Sequence, residues 1–296
     1  MARRRPATVH GSVIVDKPHG PTSHDVVALL RRRFGERRIG HAGTLDPSAT
    51  GVLVVGIGSA TRLLRFATAG RKSYECEIVF GAETSTLDAA GETVATWRMD
   101  LDPTEVADAA AGFVGSIFQL PPMVSAVRVG GRRLHEIARS GEAAERVPRE
   151  VEVYRFEVES TGDPRVYRAS VDCSAGTYVR TLGADLGSAL GGGAHIRALR
   201  RTRSGGFSLA EAESPERAAL RPPGELVRDL RQIRLSDDDA ADARQGVHLA
   251  AHRYDGPGPW TLIDPDGRLV AVHERVDDRL RATVLPPQSV RGPAAE

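Results

Sequence analysis

The chain has 296 residues, 41% hydrophobic and 27% charged, with a net charge of +1. That length and balance suit one large globular domain with a smaller one beside it, and no run approaches the ~18 apolar residues that span a bilayer. Cysteine occurs only at 76 and 173, without a second Cys or a His at metal-ligand spacing, so two buried thiols in a reducing cytoplasm are expected rather than a disulfide or a zinc site.

A near-neutral sum does not announce a nucleic-acid binder, and distribution matters more. Arginines cluster at 31–33, 37–38, 128–139 and 197–203, and acids gather at 237–239. Arginine outnumbers lysine 38 to 2, a bias of composition that strips arginine abundance of functional weight. The two lysines, Lys17 and Lys72, are the more telling cations.

Residues 1–10 open on Met1-Ala2-Arg3-Arg4-Arg5-Pro6 without an apolar segment behind, which reads as a disordered basic tail and not a signal peptide. Residues 12–15 read as a strand, and Thr22 or Ser23 caps a helix to about Phe34 with Val26, Val27, Leu29 and Leu30 on its apolar side. The run 52–57 reads as a buried strand and 74–80 as an alternating one. A short helix is expected over 103–112 behind Asp102-Pro103. Residues 151–158 and 166–173 alternate as paired strands around a turn at Gly162-Asp163-Pro164. A helix over 177–190 ends at Gly191-Gly192-Gly193, and 194–202 returns as a strand. This order predicts an α+β domain over 11–220 around a central, mostly antiparallel sheet. Arg221-Pro222-Pro223-Gly224 is the expected linker, and 234–296 reads as a small β-rich module.

The densest signal is Gly40-His41-Ala42-Gly43-Thr44-Leu45-Asp46-Pro47-Ser48-Ala49-Thr50-Gly51, a carboxylate inside a glycine-hinged loop that feeds the strand at 52–57. Pro47 fixes its own φ and biases Asp46 toward extended backbone. An acid in a Gly/Pro loop is by itself commonly a turn cap. The whole string is far more specific.

It resembles the signature of the TruB family of tRNA pseudouridine synthases. Val15-Asp16-Lys17-Pro18-His19-Gly20-Pro21-Thr22-Ser23-His24-Asp25 resembles the opening motif of that family. Lys72-Ser73-Tyr74 resembles its second, with Thr84-Ser85-Thr86-Leu87-Asp88 following. Pro121-Pro122-Met123-Val124-Ser125-Ala126 opens a stretch, 121–148, similar to the RNA-gripping thumb insertion. Gly176-Thr177-Tyr178-Val179-Arg180 and the block 193–201 complete the set. Val124 and His135 stand where many relatives carry Tyr, and Ser85 where many carry Asp.

The resemblance implies a pseudouridine synthase catalytic domain over 11–220 and a PUA-like C-terminal domain over 234–296. It implies isomerisation of uridine 55 in the T loop of tRNA by a stand-alone, cytoplasmic, monomeric enzyme that flips out its target base and needs no guide RNA, cofactor, metal or membrane. Asp46 is then the nucleophile and Arg180 the cation that keeps it ionised. Tyr74 supplies a ring for the extracted uracil and a phenol, and Tyr178 and Leu199 supply further walls. His41 is the expected wedge in the gap left by flipped bases. Asp88 is expected to orient the pocket or cap its own turn, and Lys17 to contact phosphate or brace the Asp46 loop. Arg128, Arg132, Arg133 and Arg139 are the expected RNA contacts of the thumb.

Overall fold

The computed structural model describes residues 7–284 apart from 126, 135–136, 138–139, 141–144 and 277–278. The chain begins with β1 (Gly11–Lys17), whose central residues are all buried. Helix α1 (Ser23–Phe34) follows, started by a capping box in which Thr22 and Asp25 exchange hydrogen bonds and stopped by Gly35 in the left-handed region at φ 61°. Next come β2 (Ile39–His41), β3 (Thr50–Ile57), the one-turn helix α2 (Leu64–Thr68) and β4 (Lys72–Phe80). A small hairpin pairs β5 (Ala82–Thr84) with β6 (Thr93–Thr96). Helix α3 (Pro103–Ala111) is capped by the Asp102 carboxylate, which accepts from the amides of Thr104 and Glu105. Strand β7 (Gly115–Gln119) leads to the hairpin β8 (Arg128–Val129) and β9 (Arg132–Arg133), then to β10 (Arg149–Ser160) and β11 (Val166–Cys173). Helix α4 (Val179–Ala189) starts two residues later than the sequence suggests, because Tyr178 stays extended as its N-cap. Strands β12 (Ala194–Ser204) and β13 (Phe207–Ser208) close the larger body.

One nine-stranded sheet organises these elements in the order β1-β3-β12-β4-β11-β10-β7, with β2 beside β3 and β13 beside β12. Every pairing is antiparallel except that of β3 with β12. Two apolar clusters cover it. One packs α1 against β1 and β3 through Val26, Leu30, Val13 and Leu53. The other packs α3 and α4 against β4, β10 and β11 through Val106, Leu182, Ile78 and Phe156. Tyr74 and Leu199 belong to both, so the seam between the clusters runs through them.

A bulge shapes that seam. On β12 two residues, Ala198 and Leu199, lie between Arg197 and Arg200 where β4 has only Cys76 between Glu77 and Glu75, and Ala198 takes φ 52°. The extra residue turns the strand locally. Leu199 thereby joins the apolar side.

The C-terminal module is β14 (Arg231–Arg234), α5 (Asp237–Arg244), β15 (Trp260–Ile263), β16 (Leu269–Val276) and β17 (Arg279–Val284), in a four-stranded sheet of that strand order. It starts at Arg231, three residues before the expected boundary. The expected linker is fastened to the body: Arg221 exchanges both backbone hydrogen bonds with Ser12 of β1. Leu226, Val227, Leu269 and Val272 complete an apolar cluster with Ile14, Val52 and Val54 of the nine-stranded sheet. The expected disordered tail of 1–10 is also corrected in part. Residues 1–6 lie outside the described residues, but the Thr8 amide donates to Glu36 and His10 Nδ1 accepts from the Ser59 amide. Both cysteines are free and buried, and burial raises their pKa values to about 12 for Cys76 and about 11 for Cys173. Among the described residues no helix is long and apolar enough to cross a membrane.

Candidate active site

The loop between β2 and β3 is fixed from below by buried cations and a hydroxyl. Arg201 of β12, 1% exposed, donates through Nε to Val52 O at 2.8 Å, through Nη2 to Gly43 O at 3.1 Å and through Nη1 to Thr44 O at 3.5 Å. The ammonium of Lys17, fully buried, donates to the carbonyls of Pro21 at 2.7 Å, Pro18 at 2.9 Å and Pro47 at 3.4 Å. Ser23, the first residue of α1, grips Leu45 twice: its hydroxyl donates to the Leu45 carbonyl at 3.0 Å and accepts from the Leu45 amide at 2.9 Å. Of the loop glycines Gly51 is the strictest. At φ 104° a Cβ there would lie 2.2 Å from the Arg201 carbonyl.

This scaffold presents Asp46. Its carboxylate lies 2.9 Å from Nη2 of Arg180, with Asp46 35% and Arg180 5% exposed at the side chain. Arg180, in the first turn of α4, also donates to the carbonyls of Thr86 and Val124, both at 2.9 Å. Burial pushes the Asp46 pKa above the ordinary carboxylate value; Arg180 and Lys17 pull it down and Asp88 pushes it further up. The anion is thus costly to form and is held by Arg180.

Asp46 opens onto a cavity of about 260 Å³ whose walls include Tyr74, Tyr178, Arg180 and Leu199. The sequence-derived grouping of these five residues therefore meets in one place. Burial raises the Tyr74 pKa, opposed by Arg201, so the phenol stays protonated. It offers a ring face and a hydrogen bond, and no phenolate stands ready as a base.

Three other residues expected at the substrate lie off the cavity wall. Lys17 is buried under the loop, where its three carbonyl partners suit the bracing alternative, with its pKa lowered to about 8 chiefly by burial. Asp88 is buried in its own turn, accepting from the Thr86 hydroxyl at 2.6 Å and the Ala90 amide at 3.1 Å, and touches the Asp46 loop through Ser48 at 3.4 Å. His41 sits half-buried on β2, edge-on to the His24 ring at 5.6 Å and outside the cavity wall. Burial and His24 lower its pKa to about 4, so it is neutral near pH 7.

Of the arginines expected to grip RNA, Arg128 and Arg133 are paired in the backbone register of β8 and β9, and Arg139 lies outside the described residues. Arg132 is exposed and donates to the Ser140 hydroxyl at 3.3 Å. Arg146 donates to the Pro121 carbonyl at 3.0 Å, joining the two ends of the segment.

Sequence reasoning missed Arg201 as a site residue. It lay in a run of four arginines within seven residues, and nothing in that run marks which one points inward. Lys72 also lines the cavity, donating to Ser204 Oγ at 3.0 Å and Ala67 O at 3.4 Å, with its pKa lowered to about 8 by burial and by Arg201.

Comparison with known proteins accounts for this arrangement. Residues 31–179 match the profile described as "TruB family pseudouridylate synthase (N terminal domain)", and residues 180–217 match "tRNA pseudouridylate synthase B C-terminal domain". The chain belongs to the TruB family. It is therefore a pseudouridine synthase. A Thermobifida fusca protein named tRNA pseudouridine synthase B is 46% identical over 89% of this chain and 94% of its own. A Mycobacterium tuberculosis protein of the same name is 42% identical over 94% and 96%. Among solved structures, a chain of "a Cbf5-Nop10-Gar1 Complex" superposes with TM-score 0.68 at 27% identity, over 89% of this chain and 78% of that one. The two profile matches meet between Val179 and Arg180, so the synthase assembles its cavity from both: Asp46, Tyr74 and Tyr178 from the first, Arg180, Leu199 and Arg201 from the second.

Proposed function

We propose that this synthase converts uridine 55 in the T loop of tRNA to pseudouridine, with Asp46 as nucleophile and without a guide RNA. The observation that carries the reading is the Asp46–Arg180 pair at 2.9 Å on the wall of a cavity that Tyr74, Tyr178 and Leu199 also line. Breaking the glycosidic C–N bond needs an anion at the sugar or the base, whether Asp46 attacks ribose C1′, adds to uracil C6 or assists elimination to a glycal. All three demand an ionised carboxylate that is reachable and desolvated, which Arg180 and the 35% exposure of Asp46 supply together. The detached uracil must then be held away from water while it turns, and Tyr74, Tyr178 and Leu199 suit that task. A stacked base reaches such a cavity only when extruded. Recognition of a folded loop by shape and backbone contacts suits the thumb and the β-rich module.

The names of the relatives at 42–46% identity support tRNA as the substrate. The structural neighbour named for a Cbf5-Nop10-Gar1 complex makes guide-independence the point to test. Purified chain and an unmodified tRNA transcript, with nothing else added, should yield one pseudouridine, at position 55. A product seen only with a second RNA present, or at another position, would overturn the substrate reading. Turnover by Asp46→Asn would overturn the nucleophile.

A further inference from the structure

Arg180 takes its aim from the first turn of α4, yet that turn has no cap of its own. Tyr178, the N-cap, offers no side-chain hydrogen bond to the helix. An uncapped start leaves amides without partners and the entry angle loosely set. The partner comes from across the fold. Gln119, the last residue of β7 and 1% exposed, accepts from the Tyr178 amide through Oε1 at 2.9 Å and donates through Nε2 to the Tyr178 carbonyl at 3.3 Å. Both ends of one side-chain amide thus close on one residue, two positions before Arg180.

This grip is more than a buried amide finding partners. The Tyr178 carbonyl already accepts from the Leu182 amide at 3.0 Å, so the helix ladder itself does not require Gln119. Gln119 also lies two residues before the stretch 121–148, and Val124, five residues on, accepts from Arg180. The stretch 119–124 therefore holds the start of α4 at two points, one on the backbone of Tyr178 and one on the guanidinium of Arg180.

We propose that Gln119 is a positioning residue for the reaction: it fixes the Tyr178 backbone so that the Arg180 guanidinium meets the Asp46 carboxylate. The inference rests on the role given to Asp46 above. The charged groups acting on Asp46 are Arg180 of α4, Asp88 after β5 and Lys17 at the end of β1, and the buried Tyr74 phenol of β4 lies nearby. Gln119 brings no charge, so it reaches Asp46 only through Arg180.

The test uses Gln119→Met, which keeps length and volume, and Gln119→Asn, which stays polar but is one methylene too short to span both Tyr178 atoms. Single-turnover rates at saturating tRNA transcript are measured from pH 5 to 9, with RNA affinity and thermal melting recorded for each variant. Misplacing a reacting group by an ångström costs on the order of 100-fold, and a partial loss of aim should lower the saturated rate ~10-fold or more. With Arg180 less well placed, Asp46 ionises at higher pH, so the acid limb of the profile should move up by about one unit. RNA affinity should stay within about twofold. A purely structural amide would lower the melting temperature and leave the limb where it is. Parental rate and limb in whichever variant folds, or a loss confined to RNA affinity, would overturn the proposal. Asp46→Asn run alongside separates the two readings: activity there defeats the nucleophile, whereas an inactive Asp46→Asn beside an unmoved limb defeats only Gln119.

Discussion

Replacing Arg180 by Met removes the cation 2.9 Å from Asp46 and leaves burial and Asp88 to act on the carboxyl, with Lys17 alone opposing them. An arginine at that distance lowers a carboxyl pKa by ~1–3 units. The Asp46 side chain is 35% exposed and water screens part of the effect, so the lower half of the range, ~1–2 units, is expected. The acid limb of the single-turnover profile should rise by that amount. At pH values below the parental limb the rate should fall ~10–100-fold from ionisation alone, since each unit is a factor of ten. Stability should respond with a definite sign. A carboxyl whose pKa is raised by folding retains a proton that the unfolded chain has released, so stability falls as pH rises through the folded value. Arg180→Met should therefore lose more stability between pH 5 and pH 8 than the parent does, and Asp46→Asn in the same chain should cancel that excess. Pseudouridine release against pH and urea unfolding at the two pH values are the assays. A limb that superimposes on the parental one, with equal pH dependence of unfolding, would refute the argument that Arg180 acts by holding Asp46 ionised.

Replacing Arg128, Arg132 and Arg133 together by Ala should raise the RNA concentration needed for half-maximal rate and lower the salt slope of binding by roughly 0.7–0.9 for each phosphate no longer neutralised; an unchanged binding curve with a reduced saturated rate would move the hairpin from grip to chemistry. Glu211, paired with Arg228 at 2.7 Å and hydrogen-bonded by it, has its pKa lowered to about 2. Its contribution is present above the ordinary carboxylate value and lost as pH falls toward 2, so Glu211→Gln should cost ~1–3 kcal/mol at pH 7 and little at pH 2, by urea unfolding. Equal costs at both pH values would rule out the charge as the cause. Ending the chain after Arg221 uncovers Ile14, Val52 and Val54, which Leu226, Val227, Leu269 and Val272 cover. The shortened chain should melt well below the full one, and an equal melting temperature would count against the shared cluster.

The sequence spoke most clearly where a local rule had one physical solution. Thr22 or Ser23 ahead of the apolar positions 26–30, Asp102 before Pro103, and the apolar alternation of 166–173 each produced the expected element. The Asp46, Tyr74, Tyr178, Arg180 and Leu199 grouping was legible because their motifs come in order along the chain, and the fold closes them on one cavity. What stayed hidden depends on partners distant in sequence. Lys17 reads as a free cation until three carbonyls, one of them 30 residues on, enclose it. Arg201 is one of several arginines until the bulge at Ala198 sets which way β12 faces. The turn at 221–224 looks like a hinge, and its pairing with Ser12 spans some 210 residues of chain that no local pattern announces.

The two lysines carry a wider consequence. In a chain with thirty-eight arginines, the two lysines stand where a buried ammonium meets oxygen acceptors, Lys17 under the Asp46 loop and Lys72 on the cavity wall. A guanidinium is a flat fork that stays charged at every accessible pH, whereas an ammonium is a compact tripod that gives up its proton when crowded. At Lys17 and Lys72 burial has brought that release down to about pH 8. A guanidinium at either place would bring a wider, flat fork and a charge that does not leave.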